Sequence, residues 1–370
     1  MNFTISIFGD FAKFRYGKMP KKSSIKENGK YPIYSGYRYV GYCDEYNTEA
    51  NQLIIVARGV GGTGDVKLTR EKCYLTNLSI SAEIDSNVAI PQYLYYYFSM
   101  RNLRYLDSGS AQSQITISDL EKVRIPLPNI ESQKKIVHCL SLTDNKISAN
   151  ESINNNLEQQ AKAIFSNEFL TLETLPDGWK QASLIDIADY LNGLAMQKYR
   201  PTADETGIPV LKIKELRQGC CDDNSELCSP SIKSEYIIHD GDVIFSWSGS
   251  LIVDFWCGGI CGLNQHLFKV TSNKYNKWFY YAWTKHHLDR FIAVAADKAT
   301  TMGHIKRDEL SKAEVLIPNE ADYKRIETLL QPIFDLIIAN RIENKKLAET
   351  RDALLPKLMS GELDVSNIEL

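Results

Sequence analysis

The sequence predicts an α+β fold in which two tandem mixed α/β domains alternate with two long helices that pair as an antiparallel coiled coil. Three observations support this prediction: a repeat, a change of composition within each copy, and a heptad pattern. The segment ISDLEKVRIPLPN at 117–129 returns as RDELSKAEVLIPN at 307–319, with Leu120 and Leu310 in register. Two copies of one long unit indicate an internal duplication with pseudo-twofold symmetry, because solenoid repeats are shorter.

The repeat extends upstream in the same order. Residues 93–98 (YLYYYF) match 278–283 (WFYYAW), residues 51–59 resemble 241–249, and residues 8–17 match 184–193. We therefore predict a first domain over 1–128, a first helical spacer over 129–172, a second domain over 173–318, and a second helical spacer with a C-terminal tail over 319–370.

Short strands and one aromatic helix are predicted in each domain. QLIIVARG and GDVIFSWSG are apolar runs that end in glycine, which is typical of buried strands entering a tight loop. PQYLYYYFSMRNLRYL has helical spacing of its bulky residues. The repeated segment predicts a short helix, a strand and a Pro-Asn stop. We expect Ser118 and Asp308 as N-caps, with Glu121 completing a capping box in the first copy.

A heptad pattern follows each domain, over about 131–169 and 321–359. Its spacing of alternately four and three residues is the seam of a coiled coil. Neither seam is apolar enough to stand alone in water, so we predict that the two helices pair with each other, with the asparagines fixing the register. The alternative, asparagines on a solvated face, stays open. The seam residues are Ile147, Asn150, Asn154, Leu157 and Ile164 in the first helix and Ile337, Asn340, Asn344, Leu347 and Leu354 in the second.

Composition bounds the class of protein. The apolar fraction of 44% and the charged fraction of 24% are those of a water-soluble protein, and no apolar run is long enough to span a membrane. The N-terminal segment lacks a signal-peptide pattern, and eight cysteines without a regular framework fit a reducing cytoplasm. The net charge is −3, but residues 10–38 carry +6. Such a patch can neutralise phosphates, although a solvated lysine-rich loop is an equal alternative.

No catalytic or metal site is predicted. The glycines at 57–65 lack the Lys-Ser/Thr ending of a phosphate-binding loop, and no Asn/Asp-Pro-Pro-aromatic motif of an amino-methyltransferase occurs. The cysteines at 220–228 and 257–261 match no common zinc spacing, and we interpret them as ordinary thiols.

Loop residues of both domains instead favour nucleic-acid binding. Polar loops precede the two copies of the repeated segment, SAQSQITIS at 110–118 and TTMGHIKRD at 300–308, and they differ while their surroundings match. Amides and imidazoles can contact base edges, whereas hydroxyls and cations can meet phosphates. Candidates for base edges are Gln112, Gln114 and His304, and candidates for phosphates are Thr300, Thr301 and Lys306. The other candidate DNA-binding residues are Lys21, Lys22, Tyr34, Ser35, Arg38, Arg58, Lys198, Arg200, Lys212, Lys214, Ser246, Trp247 and Ser248.

The sequence resembles the specificity subunits of type I restriction-modification systems over essentially its whole length. LPDGWKQASLIDIADYLNG at 175–193 looks like the entry to a target-recognition domain, and GIPVLKIKEL, GDVIFSWSGS, LNQHLFKV and LIPNEADYKRIETLL follow in the family's order. PLPNIESQKKIV at 126–137 and the long helix after it look like the first of the family's two helical spacers.

The resemblance implies a specific function. Each domain would read one half of a split, asymmetric site in double-stranded DNA, and the helical pair would act as a ruler for the unread gap. Two methyltransferase subunits would dock on the helices and methylate adenine with S-adenosylmethionine. A motor-nuclease subunit would cut unmodified DNA with ATP and magnesium. The chain itself would bind no cofactor and catalyse nothing.

An alternative from another class is a duplicated coiled-coil adaptor that binds proteins without reading DNA. The divergent loops and the +6 patch favour DNA binding over this alternative. A fused enzyme with its own nuclease or methylase is disfavoured by chain length and by the missing motifs.

Overall fold

The computed structural model describes residues 1–36, 38–59, 62–107, 114–297, 305 and 307–369. It divides into two compact units, Met1–Asn145 with Glu349–Leu370, and Lys146–Ala348. Each unit therefore contains one mixed globule and a segment of both long helices. The predicted boundaries of the four sequence segments stay predictions.

Among its described residues, the first half of the chain has nine strands and four α-helices. The strands are β1 (Phe3–Ile7), β2 (Ala12–Tyr16), β3 (Tyr31–Ser35), β4 (Arg38–Cys43), β5 (Leu53–Val56), β6 (Val66–Leu68), β7 (Tyr74–Leu75), β8 (Ser79–Ile84) and β9 (Arg124–Pro128). The helices are α1 (Phe8–Phe11), α2 (Pro91–Met100), α3 (Ile117–Leu120) and α4 (Ile130–Phe165). A π-helical turn, Ser166–Leu170, continues α4.

The second half repeats this order with small additions. Its strands are β10 (Lys180–Ser183), β11 (Asp189–Asn192), β12 (Ile208–Leu211), β13 (Leu227–Cys228), β14 (Ile237–Ile238), β15 (Val243–Ser246), β16 (Ile252–Phe255), β17 (Cys261–Leu263), β18 (Leu267–Thr271) and β19 (Glu314–Ile317). Its helices are α5 (Leu184–Ile187), α6 (Ile213–Gln218), α7 (Lys277–His286), α8 (Leu288–Asp297), α9 (Arg307–Ser311) and α10 (Glu320–Ser360).

Sheet topology confirms the duplication independently of residue identity. The first unit has an antiparallel sheet of order β2-β8-β5-β6, and the second has the corresponding sheet β11-β18-β15-β16. Each unit adds a mixed sheet with one parallel pair, β3 with β7 and β12 with β17. Each also has a two-stranded ladder, β1 with β9 and β10 with β19.

An aromatic helix fills the core of each unit, as the sequence predicts. Tyr93 of α2 is fully buried among Phe8, Leu53 and Ile55, and Trp278 of α7 is fully buried in the corresponding core with Phe245. Burial of one such large side chain stabilises a fold by roughly 1.5–3 kcal/mol. These helices therefore anchor the four-stranded sheets whose ends carry the loops described below.

One glycine in each unit is required by close packing of backbone. A Cβ on Gly17 would lie 2.2 Å from the Thr76 carbonyl oxygen, and a Cβ on Gly193 would lie 2.2 Å from the Asn264 carbonyl oxygen. Both glycines directly follow the corresponding strands β2 and β11. The repeat has therefore preserved a backbone contact that no other residue type fits.

The expected N-caps at Ser118 and Asp308 are wrong. Helix α3 begins at Ile117, and Thr116 caps it in a reciprocal box with Asp119. Thr116 Oγ1 accepts from the Asp119 N–H (3.3 Å), and Asp119 Oδ2 accepts from the Thr116 N–H (3.2 Å). Ser118 therefore lies inside α3, Glu121 follows it, and Asp308 lies in the first turn of α9.

The Pro-Asn end of the repeated segment caps the long helices. Asn129 Oδ1 accepts the Ser132 N–H at 2.8 Å, and Asn319 Oδ1 accepts the Asp322 N–H at 2.9 Å. An asparagine oxygen that satisfies a first-turn donor is a strong helix start, worth about 1 kcal/mol. The repeated segment thus ends a strand and starts a long helix in both units.

Helices α4 and α10 pair antiparallel within the second unit. Asn150 Nδ2 donates to Asn344 Oδ1 at 2.8 Å, and Asn340 Nδ2 donates to Asn154 Oδ1 at 2.9 Å. Position numbers rise along one helix as they fall along the other, which confirms the predicted direction. Asn150, Asn154 and Asn340 are buried, so the alternative of a solvated face is wrong for these three.

The other apolar seam residues are buried or half-buried. Ile337 is buried in the second core, Leu157 and Ile164 pack against that core, and Ile147 and Leu347 are half-buried. In the first unit, Leu354 packs against the core, and Arg351 donates to Asp144 Oδ1 at 2.9 Å.

Candidate nucleic-acid interface

The candidate interface of the first unit lies at one end of its four-stranded sheet. At this end, called the loop end, β2 and β5 finish and β8 begins, with Tyr16 paired to Ile80 and Val56 paired to Ser79. The chain after β5 and the chain before α3 meet here, because the Ile115 N–H donates to the Ala57 carbonyl at 2.9 Å. The contact makes two loops distant in sequence into one surface.

Arg58 and Gln114 come together at this loop end. They pair as an isolated antiparallel bridge, and both side chains are half-buried. The Arg58 N–H donates to the Leu78 carbonyl at 3.2 Å, and the Gln114 N–H donates to Asp107 Oδ1 at 2.8 Å. Two residues predicted separately as DNA contacts are therefore neighbours.

The loop end of the second unit has the same backbone construction, formed by β11, β15 and β18. The Ile305 N–H donates to the Trp247 carbonyl at 3.1 Å, and the Trp247 N–H donates to the His266 carbonyl at 3.4 Å. Trp247 corresponds to Ala57 and Ile305 to Ile115, so the repeat carries the same contact in both units. The scaffold is shared while the side chains on it differ.

The side chains at this second loop end form a polar cluster around Trp247. Its Nε1 donates to Asn192 Oδ1 at 2.9 Å, and its ring centroid lies 6.1 Å from that of His266. Ser248 Oγ and His266 Nδ1 are 3.0 Å apart. His266 and Asn192 did not emerge from the sequence as candidates. The signal for them is positional, because Asn192 ends β11 and His266 precedes β18, and both strands belong to the sheet that contains β15.

Two of the predicted serines are buried. Ser246 Oγ donates to the Ser250 carbonyl at 2.8 Å and lies 3.2 Å from the Ser248 carbonyl, which shapes the turn after β15. Ser248 is 2% exposed and contacts His266. Their hydroxyls are thus engaged within the protein, and their positions favour a structural role.

Predicted cations of the second unit are paired with carboxylates. Glu226 lies 2.9 Å from Lys212 Nζ and 3.4 Å from Arg200 Nη1, and Lys214 lies 3.1 Å from Asp222. The hydrogen bond from Lys212 lowers the pKa of Glu226. A phosphate that approached Lys212 would compete with this carboxylate.

Lys198 is an exposed residue of a 3-10 turn, Met196–Lys198. It belongs to the second unit and lies on its surface.

Predicted tyrosine and cation contacts of the first unit lie in the β3–β4 hairpin and in the chain before it. Lys21 and Lys22 are exposed at a 3-10 turn that precedes β3, and Arg38 is exposed at the start of β4. The Tyr34 ring lies 6.5 Å from that of Tyr39, and burial raises the pKa of Tyr34.

Ser35 ends β3, and its Oγ is 3.2 Å from Thr76 Oγ1. The exposed face of Tyr39, which is 51% accessible, is free to stack on a ligand.

Five predicted contacts, Gln112, Thr300, Thr301, His304 and Lys306, lie outside the described residues. Within the described ranges, no three His, Cys, Asp or Glu residues cluster closely enough to hold a metal ion. None of the helices in the described part of the chain is long and apolar enough to cross a membrane. Cys257 is one of the cysteines interpreted from the sequence as ordinary thiols, and burial raises the pKa of its thiol to about 11.

Comparison with known families identifies the class of protein. The family model described as the type I restriction modification DNA specificity domain matches residues 2–159 and 176–349. The chain belongs to this family, which confirms the resemblance and the tandem fold. Membership implies recognition of DNA sequence in a restriction-modification system.

Individual relatives span most of the chain. The type I restriction enzyme MjaIX specificity subunit of Methanocaldococcus jannaschii is 28% identical over 325 residues, which cover 79% of this chain and 74% of the relative. The HindI specificity subunit of Haemophilus influenzae is 20% identical over 366 residues, covering 76% and 79%. The crystal structure of a type I S subunit from M. genitalium matches 96% of both chains with a TM-score of 0.67 at 17% identity, which shows a shared fold.

Proposed function

We propose that this chain reads a bipartite, asymmetric DNA site, with one half-site read by each unit. The observation that carries the proposal is the contrast between the two loop ends. Their backbone contacts correspond, Ile115 to Ala57 and Ile305 to Trp247, whereas the side chains that follow differ. One scaffold with two sets of polar side chains suits two different base sequences.

We further propose that the chain directs partners and is not itself catalytic. Two methyltransferase subunits would methylate adenine with S-adenosylmethionine, and motor-nuclease subunits would use ATP and magnesium. The paired helices would set the gap between half-sites. Half-sites about one helical turn apart, roughly 34–36 Å, are a common geometry for paired recognition elements.

The test is methylome sequencing of a host that produces this chain together with its methyltransferase subunit. We expect adenine methylation at one split motif, which disappears when this chain is omitted. Trp247→Ala should make one half of the motif degenerate and leave the other half intact. Methylation that lacks a motif, or a motif that does not depend on this chain, would support the adaptor alternative and refute the proposal.

A second arm tests the gap. Deleting seven residues from both helices removes whole heptads and keeps the seam in phase. We expect the unread gap to change in length while both half-sites stay the same. An unchanged gap would refute the ruler hypothesis without touching the recognition of the half-sites.

A further inference from the structure

Arg58 differs from the candidate cations of the second unit that form ion pairs. Lys212 and Lys214 are already paired with carboxylates in the second unit. Among the described residues, by contrast, no ion pair involves Arg58, and its Nε is buried without a hydrogen-bond partner. A guanidinium that is partly withdrawn from water without a counter-charge is costly, so a ligand that supplies acceptors would relieve that cost.

The backbone around Arg58 is held on both sides. The N–H groups of Ala57 and Arg58 both donate to the Leu78 carbonyl, at 2.9 and 3.2 Å. Gln114 pairs with Arg58 across the bridge, and Ile115 bonds to Ala57 directly beside it. The base of the side chain is therefore fixed by the residue before β8 and by the segment before α3. A fixed arginine is suited to directional hydrogen bonding rather than to a loose contact with charge.

Guanidinium chemistry narrows the ligand. Arginine has only donors, and on the major-groove edge of DNA guanine presents two acceptors, O6 and N7, in the matching fork geometry. The other bases present at least one donor or a methyl group on that edge. The corresponding position of the second unit is Ser248, which is buried and contacts His266. The same point of the scaffold thus carries different chemistry in the two units.

We propose that Arg58 reads a guanine in the half-site bound by the first unit. This inference rests on the proposed function and goes further by assigning one base to one side chain. The competing role is a phosphate contact, which would add affinity without discriminating between bases. The two roles differ in what the variant protein does to the motif.

The experiment is methylome sequencing with Arg58→Ala and Arg58→Lys chains in the complex with the methyltransferase subunit. We expect one guanine of the motif to become degenerate with Arg58→Ala. Discrimination at that position should fall roughly 5- to 140-fold, which corresponds to the loss of one bidentate pair. Arg58→Lys should lose part of this discrimination, because lysine cannot form the fork. The half-site that is sensitive to Trp247→Ala should stay unchanged.

Arg124→Gln is the matched control, because Arg124 is an exposed arginine on β9 of the same unit. It removes the same charge and should leave the motif intact. The contrary result is that Arg58→Ala leaves the motif unchanged, weakens DNA binding uniformly across sequences and makes DNA affinity less dependent on salt concentration. That result would show a phosphate contact and overturn the assignment. A wild-type half-site without guanine would also overturn it. Absence of any motif for the wild-type chain would instead refute the proposed function.

Discussion

Asn154 and Asn340 form a hydrogen bond of 2.9 Å inside the helix pair of the second unit, where both side chains are less than a tenth exposed. Asn154→Ala would remove the acceptor and leave the Asn340 Nδ2 donor buried without that partner. The desolvation cost of such an orphaned donor is about 1–3 kcal/mol. Alanine recovers part of it through its better helix propensity, up to roughly 0.7 kcal/mol. We expect a net loss of about 1–2 kcal/mol.

Replacing both partners should have a different result. The double variant Asn154→Leu with Asn340→Leu removes donor and acceptor together, and such replacements are often neutral or stabilising. The double-mutant cycle should therefore give a coupling energy of about 0.5–3 kcal/mol between the two positions. The double leucine variant should instead lose specificity for one register of the two helices, because a polar pair in a seam specifies the alignment and a leucine pair does not.

Urea denaturation followed by circular dichroism measures both effects. Asn155→Ala is the control, because Asn155 is exposed on the same helix and should be neutral or slightly stabilising. Equal free energies of unfolding for Asn154→Ala and Asn155→Ala would refute the predicted cost of the orphaned donor. A double leucine variant that lost as much stability as the single variants Asn154→Leu and Asn340→Leu together would also refute it.

Two further predictions concern packing and pH. Gly193→Ala and Gly17→Ala would each push a Cβ against backbone oxygen, of Asn264 and Thr76, so each should lower stability by about 1–3 kcal/mol. Differential scanning calorimetry should show a shift of several degrees for both, and a wild-type melting temperature for either would contradict the packing. His287 donates to a backbone carbonyl, and burial lowers its pKa below the usual 6.5. Below about pH 6.5 the unfolded state therefore binds more protons than the folded state. The contribution of the neutral, buried His287 to the free energy of unfolding is complete above about pH 6.5 and is lost as pH falls below it. His287→Gln should flatten the dependence of unfolding free energy on pH between about 7 and 5, and an unaltered slope would count against this cause.

Much of the fold was predictable because its signals are local or repeated. The aromatic helices α2 and α7 and the paired helices α4 and α10 follow from side-chain periodicity, which one sequence displays directly. The parallel pairs β3–β7 and β12–β17 did not, since they join strands of only two to five residues across long intervals of chain. Such short strands carry no register signal of their own.

The caps failed for a related reason. Ser118 is the serine nearest the apolar residues of α3, but Thr116 makes the capping box with Asp119 because the helix begins one residue before Ser118. Helix boundaries depend on which side chain reaches a free N–H, and that distance is not visible in the sequence.

Within the candidate interface, the sequence indicated residue types but not neighbours. Arg58 and Gln114 were both candidates, yet their pairing depends on a contact between Ala57 and Ile115 that only the folded chain makes. His266 was missed because a lone histidine is usually a packing residue. Sheet order brings it beside Trp247, since Leu267 of β18 pairs with Ser246 of β15.

Asn319 has one more consequence, which is rotational. An α-helix turns by about 100° per residue, so the residue that starts α10 also determines the direction in which Asn340 points. The Asn319 cap on the Asp322 N–H fixes where the helix starts. The number of residues from there to Asn340 then fixes the direction in which Asn340 faces Asn154. One inserted residue between Asn319 and Asn340 would swing the amide away from its partner. Seven inserted residues make nearly two full turns and would return the amide to almost the same direction. Changes in the length of α10 that keep this direction therefore come in steps of about seven residues.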